Sequence, residues 1–375
     1  MRYLLWGVWL LTFPLYAQVT VAEDSIELKN KSLTLHQTLE GSAITALRLA
    51  ENSTNPFAWQ LPVSNQPVVN QGGYPFRGHF ISVGTGGLPS AGEQRRGVRL
   101  YGEANAARWQ LVDRQVTPSG SIVCRTAFKD TTEYLSVRRQ ITLDRDAPVL
   151  RITEEVTNGL PIGRAYNFLQ HATFGGAFVD SHLLINSNAG PGFYQKGAYP
   201  RDHYDSLEAY AYAWPHGVLP DGPVDLRTTT ARAKTYLSSH VFADSVTYGW
   251  AVAANPSRHL LVGYLWDVEE YPWLHVWQQY THGKVSGRAI EFATVGAGLS
   301  FEELMKNDYR FFDRQSFEFI DAGETITKSY YLFAVEISSD FQAVTKVRSK
   351  AKSIEIIIKT THGTVIESIR FTSLH

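Results

Sequence analysis

The feature that most constrains this chain is a period-two alternation of apolar and polar residues along almost its whole length. SIELKN, SLTLHQTL, AITALRLA, RWQLVDRQV, YLSVRRQITL, VLRITEEVTN, YGWAVAAN and HLLVGYLW all carry it. Successive side chains of a strand point to opposite faces, so such a run buries one face only as part of a sheet. Val, Ile, Thr, Tyr and Trp dominate these runs, and Gly, Pro, Asn and Asp separate them. Helix is scarce: SFEELMKNDYRFF, with Glu303 three residues after Ser300, reads as one short capped helix. Strands at roughly 8–12-residue spacing predict an all-β fold, one large antiparallel sandwich or barrel. The tail from about Arg348, with SIEIIIK and TVIESIRF around Thr361-His362-Gly363, predicts a β-hairpin.

The N-terminus reads differently. Arg2 precedes an apolar run from Tyr3 to Tyr16, and small residues follow at Ala17 and Ala22. That order of charge, apolar core and cleavage site predicts a secretory signal peptide. The run is short for a bilayer span, and no later segment is apolar enough to cross one. The expected organisation is a signal peptide over 1–22, one β domain over 23–347 and a hairpin tail over 348–375. No membrane contact is expected after cleavage, and an exported location, periplasmic or extracellular, follows. The single cysteine, Cys124, sits in an alternating strand and allows no internal disulfide, which suits such a location.

With a net charge of −1 and its Lys and Arg scattered, the chain offers nothing to neutralise a phosphate backbone, so no nucleic-acid partner is expected. The twelve histidines show no H-E-x-x-H and no dense Cys/His spacing, so no metal site is expected. Walker loop, dinucleotide fingerprint and G-x-S-x-G elbow are also lacking, so no cofactor is expected. Nine Trp, nineteen Tyr and nineteen Phe serve equally in a β-sandwich core or along a sugar-binding cleft. Nothing in the sequence bears on oligomeric state. Two segments without strand periodicity, from Gly84 to Arg96 and from Pro191 to Pro223, are the long loops on which function often sits.

QHATFGG, Gln170 to Gly176, places a titratable ring at the end of a strand. His171 reads there either as a satisfied core histidine or as a functional group. In RAIEFAT, Glu291 lies between Ile290 and Phe292, which share the opposite face.

The stretch NFLQHATFGG resembles the central histidine motif of aldose 1-epimerases, in the galactose mutarotase-like superfamily. GGYPFRGHF, DGPVDLR, VRRQITLDRDAPVLRITEEVTN and YPWLHVWQQYTHGKVSGRAIEFATVG resemble further segments of that family, in its order, over roughly residues 25 to 345. GHF, YGEA, QHATFG and EYPWL are similar to a bacterial exported branch of aldose 1-epimerase-like proteins. The resemblance implies a galactose mutarotase-like β-supersandwich, a carbohydrate partner and acid–base mutarotation without metal or nucleotide. On it His171 is the acid and Glu291 the base, and the neighbouring carboxylate is expected to keep His171 protonated near neutral pH.

Arg77 and His79 are candidate donors to sugar hydroxyls. Trp273 is a candidate cleft wall, with Trp277 assigned to the core. Glu103 is a candidate second carboxylate, or else a turn residue. The pattern departs from the family at Tyr101, which in VRLYGEA stands where the family carries a second histidine. Tyr101 reads as a substrate-binding phenol or as packing near Trp109. The family's substrate-binding aspartate has no counterpart in YLSSHVFADSVTYGW. Two other readings stay open: a carbohydrate-binding protein without chemistry, and a glycan lyase or hydrolase. The hydrolase reading needs Glu103 to face Glu291 across one cleft, since inverting hydrolysis holds two carboxylates roughly 6.5–9.5 Å apart.

Overall fold

A computed structural model describes residues 17–195, 207–231 and 234–372. All eight alternating runs named above lie on strands. The strands build one twelve-stranded and one eight-stranded sheet, both antiparallel, packed face to face. Side chains from both fill the space between them: Ile81, Phe174, Ile290 and Phe292 from the larger sheet, and Ile141, Ile152, Tyr264 and Leu332 from the smaller. Among the described residues no helix is long and apolar enough to cross a membrane.

The centre of the larger sheet runs, in order, through strands His79–Gly84, Arg164–Phe174, Lys284–Ala293, Trp273–Thr281, Tyr236–Val241 and Pro191–Tyr194. Its inner face carries a buried polar bridge to the smaller sheet. Arg139 Nε donates to Glu154 Oε1 at 2.7 Å, and Gln170 Nε2 donates across the inter-sheet space to Glu154 Oε2 at 2.5 Å. Tyr330 donates to Gln170 Oε1 at 3.1 Å, and Tyr271 reaches Glu154 Oε2 at 3.4 Å. Burial pushes the Glu154 carboxyl above its ordinary range, while Arg139 pulls it down. Arg139 and Gln170, one at each oxygen, can only donate to it, and both donations favour the carboxylate form.

Four features differ from the sequence reading. Residues 1–16 lie outside the described residues, but strand Gln18–Val21 pairs with Ser25–Lys29. The β domain therefore begins before residue 23, and cleavage after Ala17, not Ala22, would keep that strand. The Gly84–Arg96 segment holds a second short helix, Ala91–Arg95, where the Ser90 hydroxyl accepts from Glu93 N and the Glu93 carboxylate from Ser90 N. That capping box, like the Ser300 cap of helix Phe301–Lys306, supplies partners for first-turn N–H groups. The Pro191–Pro223 segment contains strands at 191–194, 212–213 and 216–219; its residues 196–206 lie outside the described ones. The C-terminal hairpin, Ser353–Thr360 with Gly363–Arg370, gains a third strand, Phe341–Lys350, that crosses the expected boundary at 347. This small sheet packs Ile354, Ile356 and Ile358 on the outer face of the eight-stranded sheet, against Val252, Leu261 and Phe333.

Removing one partner of a buried ion pair leaves the other charge uncompensated and costs roughly 3–5 kcal/mol, whereas replacing both with apolar groups is often neutral. We expect Glu154→Ala to lower unfolding free energy by about that amount. The double variant Arg139→Met/Glu154→Leu should recover most of the loss. Urea titrations of the three proteins check this; equal losses in single and double variants would contradict it.

Candidate active site

Strand pairing aligns one row of residues across the larger sheet. Phe80 pairs with His171, His171 with Glu291, Glu291 with His275, His275 with Ser239 and Ser239 with Phe193. Directly paired residues share a face. Ile290 and Phe292 point into the inter-sheet core, so the row lies on the opposite face of the sheet. His171 and Glu291, 120 positions apart in sequence, are direct cross-strand neighbours there.

His171 Nε2 lies 3.2 Å from Glu291 Oε1, and their side chains are 6% and 5% exposed. The His171 Nδ1 and Thr173 Oγ1 atoms are 2.8 Å apart. Glu291 Oε1 is buried without a hydrogen bond. The 3.2 Å contact with His171 is thus close but poorly aligned, a geometry that a polar ligand between the two groups could complete.

An aromatic wall surrounds the pair. Phe80 stacks on the His171 ring at 4.3 Å, and Tyr101 and Trp277 each meet it edge-on at 5.9 Å. Trp59 stands edge-on to Trp277 at 5.7 Å and donates from Nε1 to Gln279 Oε1. Tyr101 is held by a tight turn in which both it (φ 64°) and Gly102 (φ 74°) are left-handed. A Cβ on Gly102 would fall 1.9 Å from the Val83 carbonyl oxygen, so only glycine fits. Tyr101 thus packs with Phe76 and Phe80 rather than near Trp109, which belongs to the inter-sheet core.

Burial lowers His171 to about 3, with His275 adding to the shift, and burial raises Glu291 to about 8. This corrects the expectation of a protonated imidazole beside a carboxylate. Near neutral pH the pair is uncharged, with a neutral imidazole facing a carboxylic acid. Burial also raises the Tyr101 phenol, and Glu291 adds to that, so the phenol stays neutral.

The other candidates have partners of their own. His79 is one residue before Phe80 and so faces the inter-sheet core, where its Nε2 and Nδ1 lie 3.1 Å from Gln170 Oε1 and Tyr264 OH. Arg77 binds the Glu40 carboxylate. Glu103 lies 3.6 Å from Arg99, with which it forms an ion pair. Trp273 is fully buried against Phe193 and Phe311, and its Nε1 donates to Gln315 O. The two tryptophans thus exchange their expected places: Trp277 lines the site and Trp273 fills the core.

Phe80, Thr173, Trp59 and Gln279 were not singled out in the sequence. Thr173 was within reach of parity, two positions after His171 on the same strand. Phe80 required the register between strands far apart in sequence.

The uncharged pair gives a signed pH prediction. A carboxyl raised from its unfolded value near 4.3 to about 8 stabilises the fold fully at low pH and loses that contribution as pH rises through this window. His171, lowered to about 3, acts oppositely: its neutral burial costs stability below about 6.5 and nothing above. Of the two groups of the pair, only Glu291 changes its contribution between about pH 6.5 and 8, at roughly 1.4 kcal/mol per pH unit; Glu133, also raised by burial to about 8, changes alike in wild type and variant and cancels in their difference. Wild type should therefore lose stability over that window relative to Glu291→Gln. Denaturant titrations at several pH values check the difference; parallel curves would contradict it.

No protein-family model matches the chain, and no curated protein matches its sequence. Solved structures do match. A provisionally assigned aldose 1-epimerase from Klebsiella pneumoniae superposes with a TM-score of 0.60 at 12% identity, covering 86% of this chain and 83% of that one. A galactose mutarotase-like protein from Clostridium acetobutylicum gives 0.58 at 14% identity, covering 86% and 99%. Another from Lactobacillus casei gives 0.55 at 11% identity, covering 83% and 100%. At these identities the likeness is one of fold: the chain has the galactose mutarotase-like β-supersandwich.

Proposed function

We propose that the protein is an aldose 1-epimerase-like enzyme that opens and recloses the ring of a free sugar or of an oligosaccharide reducing end. The observation that carries this reading is the His171–Glu291 pair, in which an unprotonated imidazole nitrogen and a carboxylic acid can sit side by side within an aromatic wall.

Mutarotation needs one group to take a proton and another to give one. His171 Nε2 takes the anomeric hydroxyl proton while Glu291 gives its proton to the ring oxygen. The C1–O5 bond breaks, O1 becomes a carbonyl oxygen, and the aldehyde rotates about C1–C2. Reclosure on the other face returns both protons, so no net charge enters or leaves. These roles invert the expected ones: burial leaves the proton on Glu291, which makes Glu291 the acid and His171 the base. Tyr101 and Trp277, both only partly buried, offer ring faces and edges to the C–H surface of a sugar, and Phe80 backs the His171 ring. The likeness in fold to galactose mutarotase-like proteins supports the same reading. Export also belongs to it: cleavage after Ala17 would leave Gln18 to open the first strand.

General acid–base groups typically contribute about 10²- to 10⁴-fold each. Polarimetry of a freshly dissolved α-sugar should show accelerated mutarotation, and His171→Ala and Glu291→Gln should each lose about 10²-fold or more of it. Sugar binding by wild type without acceleration would instead favour a carbohydrate-binding protein. N-terminal sequencing of the protein from its host is expected to begin at Gln18; a retained Met1 would refute export.

A further inference from the structure

Among the described residues four histidines are buried: His79, His171, His240 and His275. Three of them meet an oxygen that can only accept. His275 Nε2 lies 2.8 Å from Val295 O, so Nε2 carries the proton and Nδ1 accepts from the Ser239 hydroxyl. His240 Nδ1 lies 3.3 Å from Gly190 O, so Nδ1 carries the proton and Nε2 accepts from Ser238. His79 Nε2 faces Gln170 Oε1, whose amide nitrogen is committed to Glu154, so Nε2 carries the proton and Nδ1 accepts from Tyr264. Each ring is held in one tautomer by its surroundings.

His171 is different. Its Nε2 faces a carboxyl that can donate or accept, and its Nδ1 faces the Thr173 hydroxyl, which can also do either. Thr173 Oγ1 has no other hydrogen-bond partner among the described residues, so it turns freely to suit the ring. The side chain is fully buried, two residues along the same strand and on the same face as His171.

We propose that Thr173 is a positioning residue that allows His171 to carry its proton on either ring nitrogen. With the proton on Nδ1, the threonine oxygen accepts it and Nε2 presents a lone pair for a substrate proton. With the proton on Nε2, the threonine hydroxyl donates to Nδ1. Neither state moves a heavy atom. This inference rests on the acid–base reading of the pair, although the tautomer itself is observable without any substrate.

The test is nitrogen-15 NMR of histidine-labelled protein. Wild-type His171 should show nitrogen shifts averaged between tautomers, while His79 and His275 show Nε2–H and His240 shows Nδ1–H. In Thr173→Val the Nδ1 proton loses its acceptor, and leaving a buried N–H unpaired is costly. His171 should then hold its proton on Nε2, where it blocks the base. Mutarotation kcat is expected to fall about 10- to 100-fold with KM within about twofold, and Thr173→Ser to restore both rate and shifts. If the valine variant does not fold, Thr173→Ala gives the same readout in a smaller volume. A single fixed tautomer in wild-type His171, or unchanged His171 shifts in the valine or alanine variant, overturns the proposal. An absence of mutarotation in wild type would overturn the acid–base reading instead, and the shifts would still decide the role of Thr173.

Discussion

The site depends on the hydrogen bond from Gln170 to Glu154. Glu154 belongs to the smaller sheet and is held by Arg139; Gln170 belongs to the larger and precedes His171. A strand that slips by one residue turns every side chain to the opposite face. Such a slip would put Gln170 in the aromatic wall and His171 opposite Glu154. It would also strip a buried carboxylate of a donor, and leaving such a group unsatisfied costs on the order of 1–3 kcal/mol or more. The bridge therefore fixes which face His171 shows, and the ladder hydrogen bonds carry that choice to Glu291.

On the outer face the balance of forces differs. A charged His171–Glu291 pair at 3.2 Å would gain about 5 kcal/mol of Coulomb attraction at an effective dielectric of about 20. Desolvating two ions costs several kcal/mol each, and the poor alignment of the contact returns little hydrogen bonding. Neutrality wins at Glu291, whereas at Glu154 convergent donors from Arg139, Gln170 and Tyr271 keep the charge. Two carboxyls, one between the sheets and one on the outer face of the larger sheet, thus take opposite protonation states, one structural and one reactive. Tyr101 adds a neutral edge and no charge to the aromatic wall.

Much of this was legible in the sequence because it follows from parity. Alternation located the strands, and it also set Glu291 opposite Ile290 and Phe292. Parity within a strand cannot say which face becomes the core, so it does not tell that His79, adjacent to Phe80, belongs between the sheets and not in the cleft. Trp273 and Trp277 share a face, but only the tertiary cover of Phe193 and Phe311 decides that the first is buried. Arg77 has a partner, Glu40, that no local pattern announces, whereas the partner of Glu103, Arg99, stands four residues before it. The protonation of the pair escapes the sequence for a related reason: proximity of a carboxylate can be read from a motif, whereas depth of burial cannot.

The most direct test of the account is a crystal structure of the protein soaked with a free hexose at millimolar concentration. The account predicts a pyranose against Tyr101 or Trp277, with its anomeric oxygen and ring oxygen each within hydrogen-bond reach of one member of the His171–Glu291 pair, about 2.6–3.2 Å. A sugar bound at full occupancy with its C1–O5 bond away from both groups, or bound only elsewhere on the fold, would contradict it.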